Sequence, residues 1–206
     1  MAKKNIRIEK DSMGDVEVPA EAYYGAQTQR AINNFEISNL QFSKSFIDSL
    51  AIIKRSAAIT NSKLEKLDSK YAQAIVKACD EILNGRFNDQ FKVDIFQTGS
   101  GTSSNMNMNE VIANIASEIL GGELGSRKPI HPNDHVNLGQ SSNDVIPSAI
   151  HISVYSDLSK KLLPSLLNLE KSLLKKTNEF NDVIKIGRTH LQDATPISLG
   201  QEFSGY

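Results

Sequence analysis

The sequence predicts a mainly α-helical fold: an N-terminal helical domain carrying a small β-hairpin, followed by the start of a long-helix bundle. Three observations carry this reading. Apolar residues recur three or four apart in one segment after another, the spacing of a helix with one buried face. One segment keeps that spacing over about 35 residues, longer than an ordinary globular helix and typical of a bundle. Strand-like alternation is confined to a short stretch near the start.

Taken in order, "NIRIEK" and "DVEV" alternate and predict the small hairpin. "EAYYGAQTQRAINNF" predicts a helix entered after Pro19. "SKSFIDSLAIIKRSAAITNSKL" predicts a second, with Phe46, Leu50, Ile53 and Ala57 on one stripe. "SKYAQAIVKACDEILNG" predicts a third, stopped at Gly85, which accepts the left-handed conformation without steric cost. "QTGSGTSSNMNMNE" reads as a polar loop leading into the helix of "EVIANIASEILGG", and "SRKPIHPNDHVNLGQSSND" as a second loop leading into the long helix. Along that helix Val145, Ala149, Ile152, Tyr155, Leu158, Leu162, Leu166, Leu169 and Leu173 keep the spacing. Pro147 falls near its first turn, where the missing N–H costs little, whereas Pro164 falls inside and predicts a kink or break. "PISLGQEFSGY" predicts a last helix after Pro196 that Tyr206 leaves without a stop signal, as if cut inside an element. The domain reading is 1–140 for the N-terminal domain and 141–206 for the incomplete bundle domain.

The 206 residues suffice for a sizeable core. Lys and Arg number 23 against 24 acidic residues, interspersed, which argues against a polyanion or a membrane surface as partner. The single Cys79 forms no internal disulfide and reads as a small packed hydrophobe, with a reducing, cytoplasmic compartment as the simplest setting. "MAKKNIRIEKDSMG" has no apolar run for a signal peptide, its acidic residues argue against a transit peptide, and no stretch approaches a membrane span.

Three polar loops carry chemistry. "TGSGTSSN" puts Ser100, Thr102, Ser103, Ser104 and Asn105 at a helix N-terminus, where free N–H groups and the positive dipole end favour an anion. Gly99 and Gly101 let backbone approach a ligand. Simple helix capping by Ser and Thr is the other reading. The Gly-Lys-Ser/Thr of a Walker loop and the third glycine of a dinucleotide fingerprint are both missing. "QSSND" repeats the arrangement with Ser141, Ser142 and Asn143, so two such termini could hold the two ends of a small dicarboxylate. "HPNDH" supplies His131, Asn133, Asp134 and His135. Pro132 argues against a regular helix there and no further ligand cluster is evident, so it reads as a structural or anion-binding loop rather than a metal site. His151 reads as a packing or surface residue. His190, beside Arg188, Thr189, Gln192 and Asp193 in "GRTHLQDATP", is either a surface residue or a general acid/base, which needs a carboxylate to orient it.

Together "TGSGTSSNMNMNE", "HPNDHVN", "QSSND" and "GRTHLQDATPISLGQE", with the opening "DSMGDVEVPAEAYYGAQTQRA", closely resemble the class II fumarases of the fumarase/aspartase superfamily, over essentially the whole chain. Aspartases typically carry Asn at the place of His131, Thr at that of Ser142 and Gln at that of His190, so these three choices favour fumarase over aspartate ammonia-lyase. A non-catalytic helical scaffold would need none of the loop residues.

The resemblance implies reversible anti addition of water to fumarate giving L-malate, a step of the citric acid cycle, without metal or organic cofactor. It assigns Ser100, Gly101, Thr102, Asn105, Ser141, Ser142, Asn143 and Thr189 to substrate binding and His190 to acid/base catalysis. Lys128, His131, Pro132, Asn133 and Asp134 match a second dicarboxylate site. The family usually has an Arg a few residues before "HPND", where this chain offers Arg127 or Lys128, and many fumarases have Lys and Ser at the places of Leu138 and Gly139.

Family chains are about twice as long. Their later part carries a mobile loop with the proton-abstracting serine, a Lys and Asn that bind substrate, and a Glu that orients the histidine. No "GSS" loop followed by "MPxKxN" occurs in these residues, so they are expected to be catalytically silent or very weak alone. The family active site draws on three subunits of a homotetramer.

Overall fold

The computed structural model describes residues 5–206. Contacts divide the chain into two compact units, one ending at Val154 and the other Tyr155–Tyr206.

The first unit opens with the expected hairpin: β1 (Ile6–Asp11) pairs antiparallel with β2 (Gly14–Pro19), from Ile6↔Pro19 to Asp11↔Gly14. The first helix, α1 (Ala26–Asn34), starts later than the sequence predicts. Residues 19–24 are held instead by Arg7, whose guanidinium donates to the carbonyls of Pro19, Ala20, Ala22 and Tyr24 while pairing with Glu9. Side chains from elsewhere satisfy the start of α1. Glu110 accepts from the N–H groups of Gly25, Gln27 and Thr28 and from the Thr28 hydroxyl, at 2.7–3.0 Å. Glu9 accepts from Ala26 N–H at 3.1 Å. Two carboxylates at a helix N-terminus are favoured by the dipole, although burial pushes the Glu110 carboxyl upward against these bonds. Gly25 is required here by close approach: a Cβ would sit 2.8 Å from Glu9 Oε2 and 3.0 Å from Glu110.

Helices α2 (Lys44–Lys63) and α3 (Ser69–Leu83) begin at the side-chain caps Ser43 and Asp68, and Gly85 follows α3 at φ +87°. Leu50, Ile75, Ala78, Cys79 and Ile82 are fully buried between them. Phe46 and Leu50 of the predicted stripe are buried and Ile53 packs half-buried against the core, and the buried face of α2 extends beyond that stripe to Ile47, Ser49, Ala51, Lys54 and Ala58. Helix α4 (Thr102–Ile119) starts at Thr102, so "TSSNMNMN" is helix rather than loop. It is the buried centre of the unit, with Asn105, Asn107, Asn109, Glu110, Asn114 and Ser117 inside beside Met108, Val111 and Ile112. Asn107 donates to Gln90 O, and Asn114 donates to Tyr23 O and accepts from Gly125 N–H, while the buried Oδ1 atoms of Asn105 and Asn109 have no partner. Pro132 does not prevent helical structure but opens a single π turn, Pro132–Val136, capped by the His131 side chain.

Beyond Ser141 the backbone is helical as α5 (Ser142–Asp157), a π turn (Leu158–Leu162) and α6 (Leu163–Glu179). The predicted interruption at Pro164 takes the form of that wider turn, which accommodates a residue with no N–H to donate. In the second unit the chain forms a hairpin that periodicity did not reveal: β3 (Ile184–Thr189) pairs antiparallel with β4 (Gln192–Ser198). The last helix, α7 (Leu199–Gly205), begins after Ser198 rather than after Pro196, and Ser198 and Gln201 form a reciprocal capping box. Lys185 of β3 pairs with Glu202 of α7. Leu162, Leu163, Leu166, Leu167, Leu169 and Leu174 are all exposed. Among the described residues no helix is long and apolar enough to cross a membrane.

Candidate active site

Two helix N-termini meet in the first unit. Gly101 is the N-cap of α4 at φ +66°, a left-handed conformation that favours glycine, and a Cβ there would lie 3.1 Å from the Ile146 side chain of α5. One turn on, the fully buried Asn105 donates to Ser142 Oγ at 3.1 Å and to Asn137 Oδ1 at 3.2 Å. These contacts place Thr102 and Ser142, the first residues of the two helices, on neighbouring ends. Ser100 and Thr102 hydroxyls bond each other at 2.9 Å on the exposed rim. Ser141 and Asn143 are exposed, and Ser141 Oγ accepts from Asn143 N–H at 3.3 Å. Ser141 thus caps the start of α5, whereas the Gly101 N-cap of α4 has no side-chain cap. Ser104 N–H is already taken by Gln97 Oε1 at 3.0 Å.

The arrangement gathers neutral donors around two positive helix ends; the first turn of α4 has no acidic residue, and that of α5 carries the exposed Asp144. Such a surface suits a small anion with two carboxylates. It is supported from below by groups that sequence reasoning missed. The Lys54 ammonium donates to Asn137 Oδ1 and Gln140 Oε1, both at 2.9 Å. Its sequence signal was a lysine on an otherwise apolar stripe.

The "HPND" turn is close in sequence but built differently. His131 Nδ1 accepts from Asp134 N–H at 3.2 Å, and His135 Nδ1 accepts from His131 N–H at 2.8 Å while its ring lies against Tyr71. Burial holds the His135 imidazole below its ordinary pKa. Asn133 and Asp134 are exposed and Pro132 is buried. Lys128 is exposed, whereas Arg127 has a buried guanidinium nitrogen, Nη2, with no partner, and lines a small cavity with Pro132, Glu9 and Glu110. Among the described residues no group of three or more His, Cys, Asp or Glu side chains could hold a metal.

His190 and Thr189 belong to the second unit. His190 and Leu191 are the two residues of the β3–β4 turn, at φ +51° and +61°. A two-residue hairpin with both central residues at positive φ normally uses Asn-Gly, so His-Leu there is held against its preference. The His190 side chain is exposed at the hairpin tip, and Asp193, its nearest acidic neighbour in sequence, pairs with Arg188 at 3.2 Å.

A family model described as lyase matches residues 14–206. The chain belongs to this lyase family. Curated relatives in the lyase family include proteins named class II fumarate hydratase from Halobacterium salinarum, 56% identical over 203 residues, and Nitrosomonas europaea, 55% identical over 200 residues. The matches cover 98% and 97% of this chain, which spans 43% of each relative's length. Among solved structures, a recombinant class II fumarase from Schistosoma mansoni superposes with a TM-score of 0.92 at 50% identity, covering 97% of this chain and 42% of that one. A fumarate lyase:delta crystallin from Brucella melitensis gives 0.93 at 47% identity, covering 97% and 47%.

Proposed function

We propose that the protein carrying these residues is a fumarate hydratase, adding water reversibly to fumarate to give L-malate. The observation that carries the proposal is the pairing of the α4 and α5 N-termini through Asn105 and Ser142, in a chain more than half identical to relatives named for this activity. Ser100, Gly101, Thr102, Asn105, Ser141, Ser142, Asn143 and Thr189 bind the substrate carboxylates in this reading. When malate loses the proton next to a carboxylate, negative charge develops on that carboxylate's oxygens. Hydroxyls, amides and helix N–H groups already aimed there stabilise the charge without reorganising, each donor contributing about 3 kcal/mol. His190 acts as the acid/base group at the departing or attacking oxygen, worth about a hundredfold or more.

Lys128, His131, Pro132, Asn133 and Asp134 form a second dicarboxylate site in this reading, with the inward Arg127 as a further cation. In this reading 1–140 is the N-terminal domain and 141–206 the beginning of a central bundle domain, while contacts alone divide the chain after Val154. The uncovered leucines of α6 support assembly as a homotetramer whose subunits share active sites. The buried free thiol of Cys79 fits a reducing, cytoplasmic setting, and the chemistry proposed needs no cofactor.

The test is the full-length protein, purified from a host lacking its own fumarase, with fumarate consumption followed by ultraviolet absorbance and ammonia release from L-aspartate measured in parallel. Hydration without ammonia release is expected. Ammonia release would reassign the protein to aspartate ammonia-lyase, and turnover of neither would overturn the proposal.

A further inference from the structure

Lys54 is fully buried, yet the family roles above leave it no task. Its ammonium meets only neutral oxygens, Asn137 Oδ1 and Gln140 Oε1, and among the described residues it makes no ion pair. A buried cation without a counter-charge is among the costlier features a fold can carry. Burial pushes its pKa down to about 7, and the titratable side chain facing it, the Cys79 thiol of α3, is kept neutral by its own burial.

The two oxygens it holds build the loop before α5. Asn137 Nδ2 donates to Gln140 O at 3.1 Å, and Gln140 Nε2 donates to Val136 O at 2.9 Å. Asn61 of α2 donates to Leu138 O at 2.9 Å, fixing the same loop from a second point. Asn137 Oδ1, already facing the ammonium, also accepts from Asn105 Nδ2, which in turn donates to Ser142 Oγ. One continuous chain of bonds thus runs from Lys54 through Asn137 and Asn105 to the first residue of α5.

We propose that Lys54 is a positioning residue of the dicarboxylate site: it sets Asn105 and Ser142 and supplies, from beneath, the positive charge that a doubly negative ligand compensates. The inference rests on the functional reading above and deepens it. The ligand's two charges stand in for the carboxylate the fold does not provide, so binding and the protonated state of Lys54 favour each other.

The experiment uses the full-length protein and succinate, a dicarboxylate that cannot be hydrated. Lys54→Met keeps the length and apolar stem but removes the charge. Gln140→Glu keeps the shape of its partner and neutralises the ammonium internally. Each variant is expected to raise the Kd for succinate and the KM for fumarate about tenfold or more, with a smaller change in kcat and an unchanged circular dichroism spectrum. A folded variant of either kind that binds succinate as tightly as the wild type overturns the inference. A wild type that hydrates fumarate while the variants keep its KM refutes only the role of Lys54, whereas a wild type that neither binds succinate nor hydrates fumarate refutes the functional reading itself.

Discussion

Replacing Lys54 by Met should change how stability depends on pH, and the sign follows from burial. The native ammonium has a pKa near 7 against an ordinary 10.5, lowered by desolvation. Between these values the unfolded chain binds a proton that the native state does not, so stability contributed by this group is full above the unfolded pKa and is lost as pH falls towards the folded one. From about pH 8.5 down to 7 the loss is about 1.36 kcal/mol per pH unit, or roughly 2 kcal/mol by about pH 6. Lys54→Met abolishes this dependence. Cys79, whose thiol burial pushes upward, is present in both proteins and cancels in the comparison. Urea unfolding of wild type and variant at the two pH values measures the difference directly. Relative to wild type the variant should gain roughly 2 kcal/mol at about pH 6 compared with about pH 8.5. A stability difference that does not move with pH would refute the reasoning.

Other substitutions probe the scaffold and the rim of the site. Gly25→Ala drives a Cβ to 2.8 Å from Glu9 Oε2 and 3.0 Å from Glu110 and should cost about 1–3 kcal/mol, read as a lowered thermal midpoint. Glu110→Ala strands three N–H groups and the Thr28 hydroxyl and should cost about 3 kcal/mol or more, seen as earlier urea unfolding. Gly101→Ala combines φ +66° with a 3.1 Å approach to Ile146. It should cost about 1–2 kcal/mol of stability and raise KM for fumarate several-fold, measured by steady-state kinetics.

Helices α2, α3, α4 and α5 were legible because each buries part of a regular apolar pattern, whereas α6 keeps the same spacing with its leucines exposed. Their starts were less so. The first turn of α1 depends on Arg7, Glu9 and Glu110, residues far from it in sequence, and no local pattern announces a cap supplied from elsewhere. Hairpin β3–β4 escaped because neither strand has a buried apolar face, its turn is His-Leu instead of Asn-Gly, and Pro196 interrupts a strand pattern, as an edge strand allows. The sequence therefore presents His190 as a loop residue, and the structure puts it at a tight hairpin tip. The loop residues of the candidate site were visible as clustered hydroxyls and amides. Their joint placement depends on Asn105, Asn137 and Lys54, and a lysine on an apolar stripe reads as an imperfection of the pattern until its partners are seen.

The most direct test of the proposed hydratase chemistry is kcat for fumarate hydration by full-length His190→Asn, compared with wild type under saturating substrate. Removal of the acid/base group should lower kcat by about a hundredfold or more while KM stays close to the wild-type value. Turnover equal to that of the wild type would contradict the role given to His190 and, with it, the reaction assigned to these loops.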